Sequence, residues 1–197
     1  MTTTFLRQAL AGLRVLIVLT VVTGGLYPLA VWAVAQGAFD GQADGSKVNR
    51  DGRVVGSSLI GQNFTGPQWF QPRPSAAGAN GYDPLASGAS NLGPENPALL
   101  DAVETRRAEI TAADQPGATP VPPDALTASG SGLDPHISPA YARLQAPRVA
   151  QARGLAPQTV EALVDDHVEG RVLGFLGESR VNVLELNLAL DRLTPGR

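Results

Sequence analysis

The chain has 197 residues, of which 17% are charged and 5% aromatic, and it contains no cysteine. Without cysteine there are no disulfides, no iron–sulfur clusters, no thiol catalysis and no Cys-ligated zinc, and two histidines are too few for a His-rich metal site. The net charge is −3, and Lys47 is the single lysine, so nothing in the charge favours nucleic-acid binding. We expect neither a metal site nor a nucleic-acid partner.

An uncharged run over residues 15–35 follows two arginines, Arg7 and Arg14. Twenty-one residues in a helix span about 31 Å, which matches the roughly 30 Å hydrocarbon core of a bilayer. The run therefore predicts one transmembrane helix. Flanking arginines are typical of the cytoplasmic side, which predicts a cytoplasmic N-terminus in the cell (inner or plasma) membrane.

Three residues inside this helix stand out. Gly24 and Gly25 form a small-residue patch of the kind that lets another helix pack closely. Pro28 predicts a kink, since it cannot donate the backbone hydrogen bond of a regular helix. The alternative is a signal peptide cleaved after the Ala33-Val34-Ala35 motif, which would release a secreted binding protein. The run is longer than a usual signal-peptide core, which favours the anchor.

The predicted domain organisation follows from this anchor. Residues 1–14 are cytoplasmic, 15–35 cross the membrane, 36–52 form a small, polar linker, and 53–197 form one extracytoplasmic globular domain. Every acidic residue lies at or beyond Asp40, whereas Arg7 and Arg14 lie before it, so the rest of the chain has a net charge of −5.

The predicted elements of the outer domain are short strands and several helices, an α+β fold. Residues 53–61 have the β-branched content of one or two strands, and repeated prolines block any long helix over 65–97. Asn96 caps a helix through Ala113. Two further helices begin at Ser138-Pro139, with an interruption at Pro147 and an end at Gly154, and at Pro157. Residues 182–192 fit a helix or a strand, and the capping pattern favours a helix.

The richest polar cluster is the segment 128–138. Ser129 or Ser131 with Asp134 and His136 has the residue types of a hydrolase triad, although the spacing of a nucleophile elbow is missing. A pair of turns that leads into a helix is the simpler interpretation, and a partner or ligand contact is the next. No catalytic residue is assigned.

Two other segments are candidate contact surfaces. Trp69, Phe70 and Arg73 lie in a proline-rich frame, either as core anchors or as a docking surface. Ser90 and Asn91 lie in a loop of small residues and amides without a titratable base, which suits a contact surface better than an active site.

Six segments follow one another in a recognisable series: GGLYP at 24–28, GSSLIGQ at 56–62, FQPRPS at 70–75, SNLGP at 90–94, TASGSGLDPHIS at 127–138 and RVNVLELN at 180–187. Together they resemble the KdpC family, the C subunits of the high-affinity potassium-transporting P-type ATPase complex KdpFABC. The resemblance covers nearly the whole chain. Ala89 and Ser179 depart from residues common in the family, and neither lies in a central motif.

The resemblance implies a non-catalytic membrane subunit, with KdpA, KdpB, KdpF and the lipid bilayer as partners and potassium handled through the complex. It implies no tightly bound cofactor, with ATP associated only through the complex. In that family the C subunit is described as a catalytic chaperone that raises the affinity of the ATP-hydrolysing KdpB for ATP. A domain outside the membrane does not meet cytoplasmic ATP, so we expect any such effect to be indirect. We expect the outer domain to dock on the outer mouth of KdpA.

Overall fold

The computed structural model describes residues 2–115, 117 and 119–193, and it divides into two compact units between Lys47 and Val48. The predicted α+β fold with an N-terminal apolar helix is confirmed. The last four residues of the predicted domain 53–197 lie outside the described residues, as do residues 116 and 118 in the proline-rich break after the Asn96 helix.

The first unit is a long apolar helix. It comprises α1 (Thr2–Val21), one π-helical turn (Val22–Leu26) and α2 (Tyr27–Ala38). The stretch Thr3–Ala38 is long and apolar enough to span a membrane. Its mean hydropathy is 2.0, and none of its most apolar part is buried. The helix is thus longer than the predicted span at both ends.

Next to Pro28, where the sequence predicts a kink, the structure has the π turn. A proline ring clashes with the carbonyl four residues earlier, which here belongs to Gly24. In the π turn the Tyr27 N–H donates instead to the carbonyl of Val22, five residues back. The wider turn lets α2 begin around Pro28, with no break between α1 and α2.

The segment predicted as a linker is partly structured. It contains a short helix, α3 (Asp40–Ala43), and the strand β1 (Lys47–Arg50). β1 pairs with β2 (Arg53–Ser57). Asp51 and Gly52 between them have φ of 50° and 76°, the left-handed pair that a tight hairpin turn requires. This Asp-Gly turn is the signal that distinguishes the segment from a linker.

The second unit is helical around a small sheet. Its helices are α4 (Pro97–Asp114), α5 (Pro123–Leu126), α6 (Pro139–Arg153), α7 (Pro157–Asp166) and α8 (Val183–Leu193). Three antiparallel strands, β3 (His136–Ile137), β5 (Arg180–Asn182) and β4 (Val168–Glu169), form the sheet in that order, with Val181 of β5 opposite Ile137 and Val168.

Local sequence signals account for most helix ends. The Asn96 side chain accepts from the Ala98 N–H at 2.9 Å, and Ser138 accepts from Tyr141 N–H at 3.0 Å. Gly154 ends α6 with a left-handed φ of 66°. Asn182 caps α8 through the N–H groups of Leu184 and Glu185, which confirms the helix favoured for 182–192.

The interruption predicted at Pro147 is wrong. α6 continues through Pro147 to Arg153. The residues around the proline, Gln145, Ala146, Val149 and Ala150, are all fully buried. Tertiary packing on both sides thus offsets the lost backbone hydrogen bond.

The core lies where α7 packs against α6 and α8. Its fully buried side chains include Val149, Val160, Val164, Leu186 and Leu190. Residues 58–96 contain neither helix nor strand and run over this core. The side-chain amide of Asn187 holds this segment against the core. The Phe70 N–H donates to Asn187 Oδ1 at 2.9 Å, and Asn187 Nδ2 donates to the Phe70 carbonyl at 3.0 Å.

Candidate functional site

Two loops that are far apart in the sequence meet on one side of the second unit. They are the proline-rich loop over 70–90 and the loop over 127–138. Ser75 Oγ donates to the Gly132 carbonyl at 2.6 Å and accepts from the N–H groups of Ala77 and Tyr82. The Gly88 N–H and Ser87 Oγ both donate to the Ser131 carbonyl. The two loops therefore act as one hydrogen-bonded unit.

Gly132 makes this close approach possible. Its φ is 66°, and a Cβ there would lie 2.7 Å from the Ala77 nitrogen and 2.7 Å from the Gly88 carbonyl oxygen. Only a residue without a side chain fits between these two backbones in that conformation. Gly130, two residues earlier, has open space around it.

The joined loops bring Arg73, Asp134 and His136 together. Arg73 Nη1 lies 3.2 Å from Asp134 Oδ2, and His136 Nδ1 lies 3.2 Å from Asp134 Oδ1. The His136 backbone N–H also donates to Asp134 Oδ1 at 3.0 Å. Partial burial by itself would raise the pKa of Asp134, but the His136 hydrogen bonds and the charges of His136 and Arg73 outweigh it, and the pKa lies below its ordinary value. Asp134 is thus an anion that orients the Arg73 guanidinium and the His136 imidazole.

Tyr82 contacts the backbone of the cluster. Its hydroxyl donates to the Arg73 carbonyl at 2.7 Å. Burial, followed by the negative charge of Asp134, raises the pKa of this phenol well above its ordinary value. Tyr82 therefore stays protonated and holds the backbone that carries Arg73.

The three side chains line an open cleft of about 610 Å³. Asp124, Glu178 and Arg180 complete its charged lining. The Asp124 carboxylate accepts hydrogen bonds from the Ser138 N–H and hydroxyl, at 2.7 and 2.9 Å. Arg180 pairs with Glu169 at 2.8 Å. The buried Nε atoms of Arg73 and Arg180 have no hydrogen-bond partner among the described residues.

Two predicted contact residues lie in the interior instead. Phe70 is fully buried in the core, because the Asn187 amide holds its backbone there, so the prediction of a partner contact by its side chain is corrected. Ser129 is also buried. Trp69 is half-buried and packs under the Arg153 guanidinium, 4.2 Å from the ring centroid. This position agrees with the core-anchor interpretation of the aromatic pair.

The remaining predicted residues take no part in the hydrogen bonds of the charged cluster. Ser90 and Asn91 are at the surface, and the Asn91 side chain donates to the Ala89 carbonyl. Ser131 is exposed, and its Oγ accepts from the Leu133 N–H at 3.1 Å. Gly24, Gly25 and Pro28 lie in the first unit, with the glycines inside the π turn.

The structure does not bring the three hydrolase candidates into hydrogen-bond contact with one another. No hydrogen bond joins Ser129 or Ser131 to His136 within the described ranges, and a nucleophile needs such a contact with its base. Nor do three or more His, Asp or Glu side chains gather to hold a metal in the part of the chain that the structure describes. What the cleft offers is charged side chains held rigidly at a surface.

Sequence reasoning missed Asp124, Arg180, Ser75 and Tyr82. Ser75 and Arg180 lie in two of the six recognised segments, which was an available signal. No local signal in the sequence marks Asp124 or Tyr82, because their roles depend on Ser138 and Arg73, which are distant in the sequence.

Comparisons with known proteins match one family over nearly the full length of the chain. The KdpC family, described as the K⁺-transporting ATPase, c chain, matches residues 9–192. A protein of Kineococcus radiotolerans named "Potassium-transporting ATPase KdpC subunit" is 63% identical over 193 residues, which covers 98% of this chain and 97% of the relative. Proteins with the same name from Mycobacterium tuberculosis and Sorangium cellulosum are 56% and 58% identical, over 95% and 91% of this chain and 99% and 95% of the relatives.

Proposed function

The chain belongs to the KdpC family of K⁺-transporting ATPase subunits, and we propose that it is a non-catalytic subunit whose C-terminal domain docks on other chains of the complex. In this proposal the apolar helix anchors the chain beside KdpA, KdpB and KdpF. The domain contacts the outer mouth of the channel-like KdpA. Potassium passes through the complex and not through this chain.

The observation that carries the proposal is the charged cluster of Arg73, Asp134 and His136. Its groups pair with one another and are held by backbone contacts from Ser75 and Tyr82. The Arg73–Asp134 ion pair is held in place by these backbone contacts and lines the cleft. Rigid, prepaired charge next to an open cleft suits recognition of another protein surface.

The proposed topology has the N-terminus inside and the domain outside the cell membrane. The supporting feature is the charge asymmetry, with Arg7 and Arg14 before the helix and Asp40 and Asp44 after it. A cysteine-free chain makes this easy to test. Leu85→Cys, at a leucine that is 96% exposed, should react with a membrane-impermeant maleimide in intact cells. Thr4→Cys is the matched position before the helix and should react only after lysis; the reverse pattern would overturn the topology.

An effect on ATP affinity would then be indirect. A domain outside the membrane changes nucleotide binding only if it contacts two states of the complex differently. The apparent KM of the complex for ATP should therefore change when the cleft is altered, for example by His136→Ala. An unchanged KM, together with unchanged potassium uptake, would argue against any part for this cleft in coupling.

The central experiment removes residues 40–197 and keeps the helix. We expect high-affinity potassium uptake to be lost, measured as growth and ⁸⁶Rb⁺ influx at low external potassium. Copurification of the remaining helix with the other chains shows whether the complex still assembles. Uptake at the level of the full chain would show that the domain is not the working part.

A further inference from the structure

The connection between β4 and β5 is the most apolar exposed segment of the second unit. We call residues 171–177 the apolar tip. Val172, Leu173, Phe175 and Leu176 are between 49% and 79% exposed there. Elsewhere in the described part of this unit the exposed large hydrophobic residues stand singly or as one adjacent pair. Four of the five residues 172–176 form a contiguous patch, which in soluble domains marks an interaction surface.

The apolar tip is ordered by its own backbone. Val172 and Leu176 form a β-bridge, with N–H···O distances of 3.0 and 2.9 Å in the two directions. The N–H groups of Gly174 and Phe175 also donate to carbonyls within the tip, at 3.0 and 3.3 Å. Four backbone donors are therefore satisfied without water. Each paired donor lowers the cost of moving this backbone into an apolar medium.

The charge of the apolar tip is a single cation. Arg171 is exposed, and its side chain makes no ion pair with any described residue. Its position next to Val172 places a guanidinium at the edge of the apolar patch. Phosphate groups lie at the same boundary in a bilayer, where arginine side chains settle with their stems in the apolar layer.

A membrane is close along the chain. The candidate membrane-spanning helix ends at Ala38, and β1 begins at Lys47. This short connection keeps the second unit at high effective concentration near the bilayer that the helix occupies. A weak contact with lipid is then sufficient, because it does not have to recruit the protein from solution.

We propose that the apolar tip inserts into the boundary between headgroups and acyl chains of the bilayer, with Arg171 on a lipid phosphate. The tip provides a second membrane attachment besides the helix and limits rotation of the domain about its tether. A protein pocket is the other class of partner. Lipid is favoured because the four large side chains carry no polar atom that a specific pocket would read, and because the backbone donors of Val172, Phe175 and Leu176 are already paired.

The test uses the full chain reconstituted into vesicles of phosphatidylethanolamine and phosphatidylglycerol. Leu173→Cys carries an environment-sensitive fluorophore (NBD), and Leu85→Cys, the same substitution at an exposed leucine of another loop, is the matched control. Doxyl-labelled lipid reports contact with the bilayer, and aqueous iodide reports exposure to water. We expect doxyl lipid to quench the probe at position 173 several-fold more than the probe at 85, and iodide to show the opposite order.

A second variant keeps the test decisive. Phe175→Ser, added to Leu173→Cys, should return the probe to water without changing the thermal unfolding midpoint, because Phe175 is exposed and supports no core contact. Equal iodide quenching at 173 and 85, both in vesicles of the chain alone and in the assembled complex, would overturn the proposal. So would a probe shielded from both quenchers only in the assembled complex, since that result assigns the tip to a protein partner.

Discussion

At the scale of single residues, two carboxylates of the second unit show how environment decides charge. Asp114 lies 2.6 Å from Arg148, yet burial raises its pKa more than Arg148 lowers it. Asp134 is also partly buried, but it receives two hydrogen bonds from His136 as well as the charge of Arg73, and its pKa falls. The number of donors that each carboxylate faces separates the two cases.

Asp134 should therefore stabilise the fold in a pH-dependent way. A carboxylate whose pKa is lower in the folded than in the unfolded state stabilises fully above the unfolded value of about 4, and that contribution is lost as the pH falls through the folded value. Asp134→Asn should lower the unfolding midpoint at pH 7, and the difference from the unaltered chain should shrink below pH 4. Asp166→Asn, at an exposed carboxylate, controls for the change of surface charge. A difference that stays constant down to pH 3 would contradict this account.

At the scale of elements, the site depends mainly on loops, since Arg73 and Asp134 lie in loops and His136 begins the two-residue strand β3. The loop over 70–90 and the loop over 127–138 have few regular hydrogen bonds of their own, and they are ordered by contacts with each other. Gly61 adds a third segment, since its N–H donates to the Leu133 carbonyl at 2.8 Å. The positions of the side chains in the charged cluster therefore depend on the hydrogen bonds between these loops.

Gly132→Ala should separate the loops. A left-handed φ and a Cβ within 2.7 Å of two backbone atoms together cost at least about 1–3 kcal/mol. For a domain of this size that predicts a fall of several degrees in the unfolding midpoint, together with reduced potassium uptake. Gly130→Ala, where a Cβ meets nothing within 4 Å, should leave both near the values of the unaltered chain. Similar losses in the two variants would show that the close approach at Gly132 is unimportant.

At the scale of the whole molecule, the chain consists of an apolar helix and a folded domain with its own core. Every residue of the hydrophobic core cluster lies beyond Lys47. Asp191 stabilises the N-terminal end of the domain, because its carboxylate forms ion pairs with Arg50 of β1 and with the buried Arg153 of α6. We therefore expect the helix to contribute little to the stability of the domain.

The segment 48–197 should accordingly fold without the helix. We expect a cooperative thermal transition and a circular dichroism spectrum with helical content, measured on the segment alone in water. The same segment should fail to restore potassium uptake to cells that lack the full chain, since it has lost its tether. Full restoration by the segment would show that the helix is dispensable, and a non-cooperative transition would show that the domain depends on it.

Local signals in the sequence predicted much of this protein. Uninterrupted hydropathy gave the apolar helix, the caps at Asn96 and Ser138 and the left-handed Gly154 gave helix ends, and six motifs in order gave the family. These features depend on residues close together in the chain, where hydropathy, backbone dihedrals and capping act directly. The same reasoning failed at Pro147, where packing of α6 outweighed a local helix breaker.

Tertiary structure alone decided which polar residues meet. Arg73 and Asp134 are 61 positions apart, and Phe70 and Asn187 are 117 apart, so no local pattern encodes either contact. Folding buried Phe70, which the sequence left open as a contact residue, and exposed the apolar tip, which the sequence did not single out. Composition and periodicity fix what each segment prefers, whereas burial and pairing depend on which segments fold against one another.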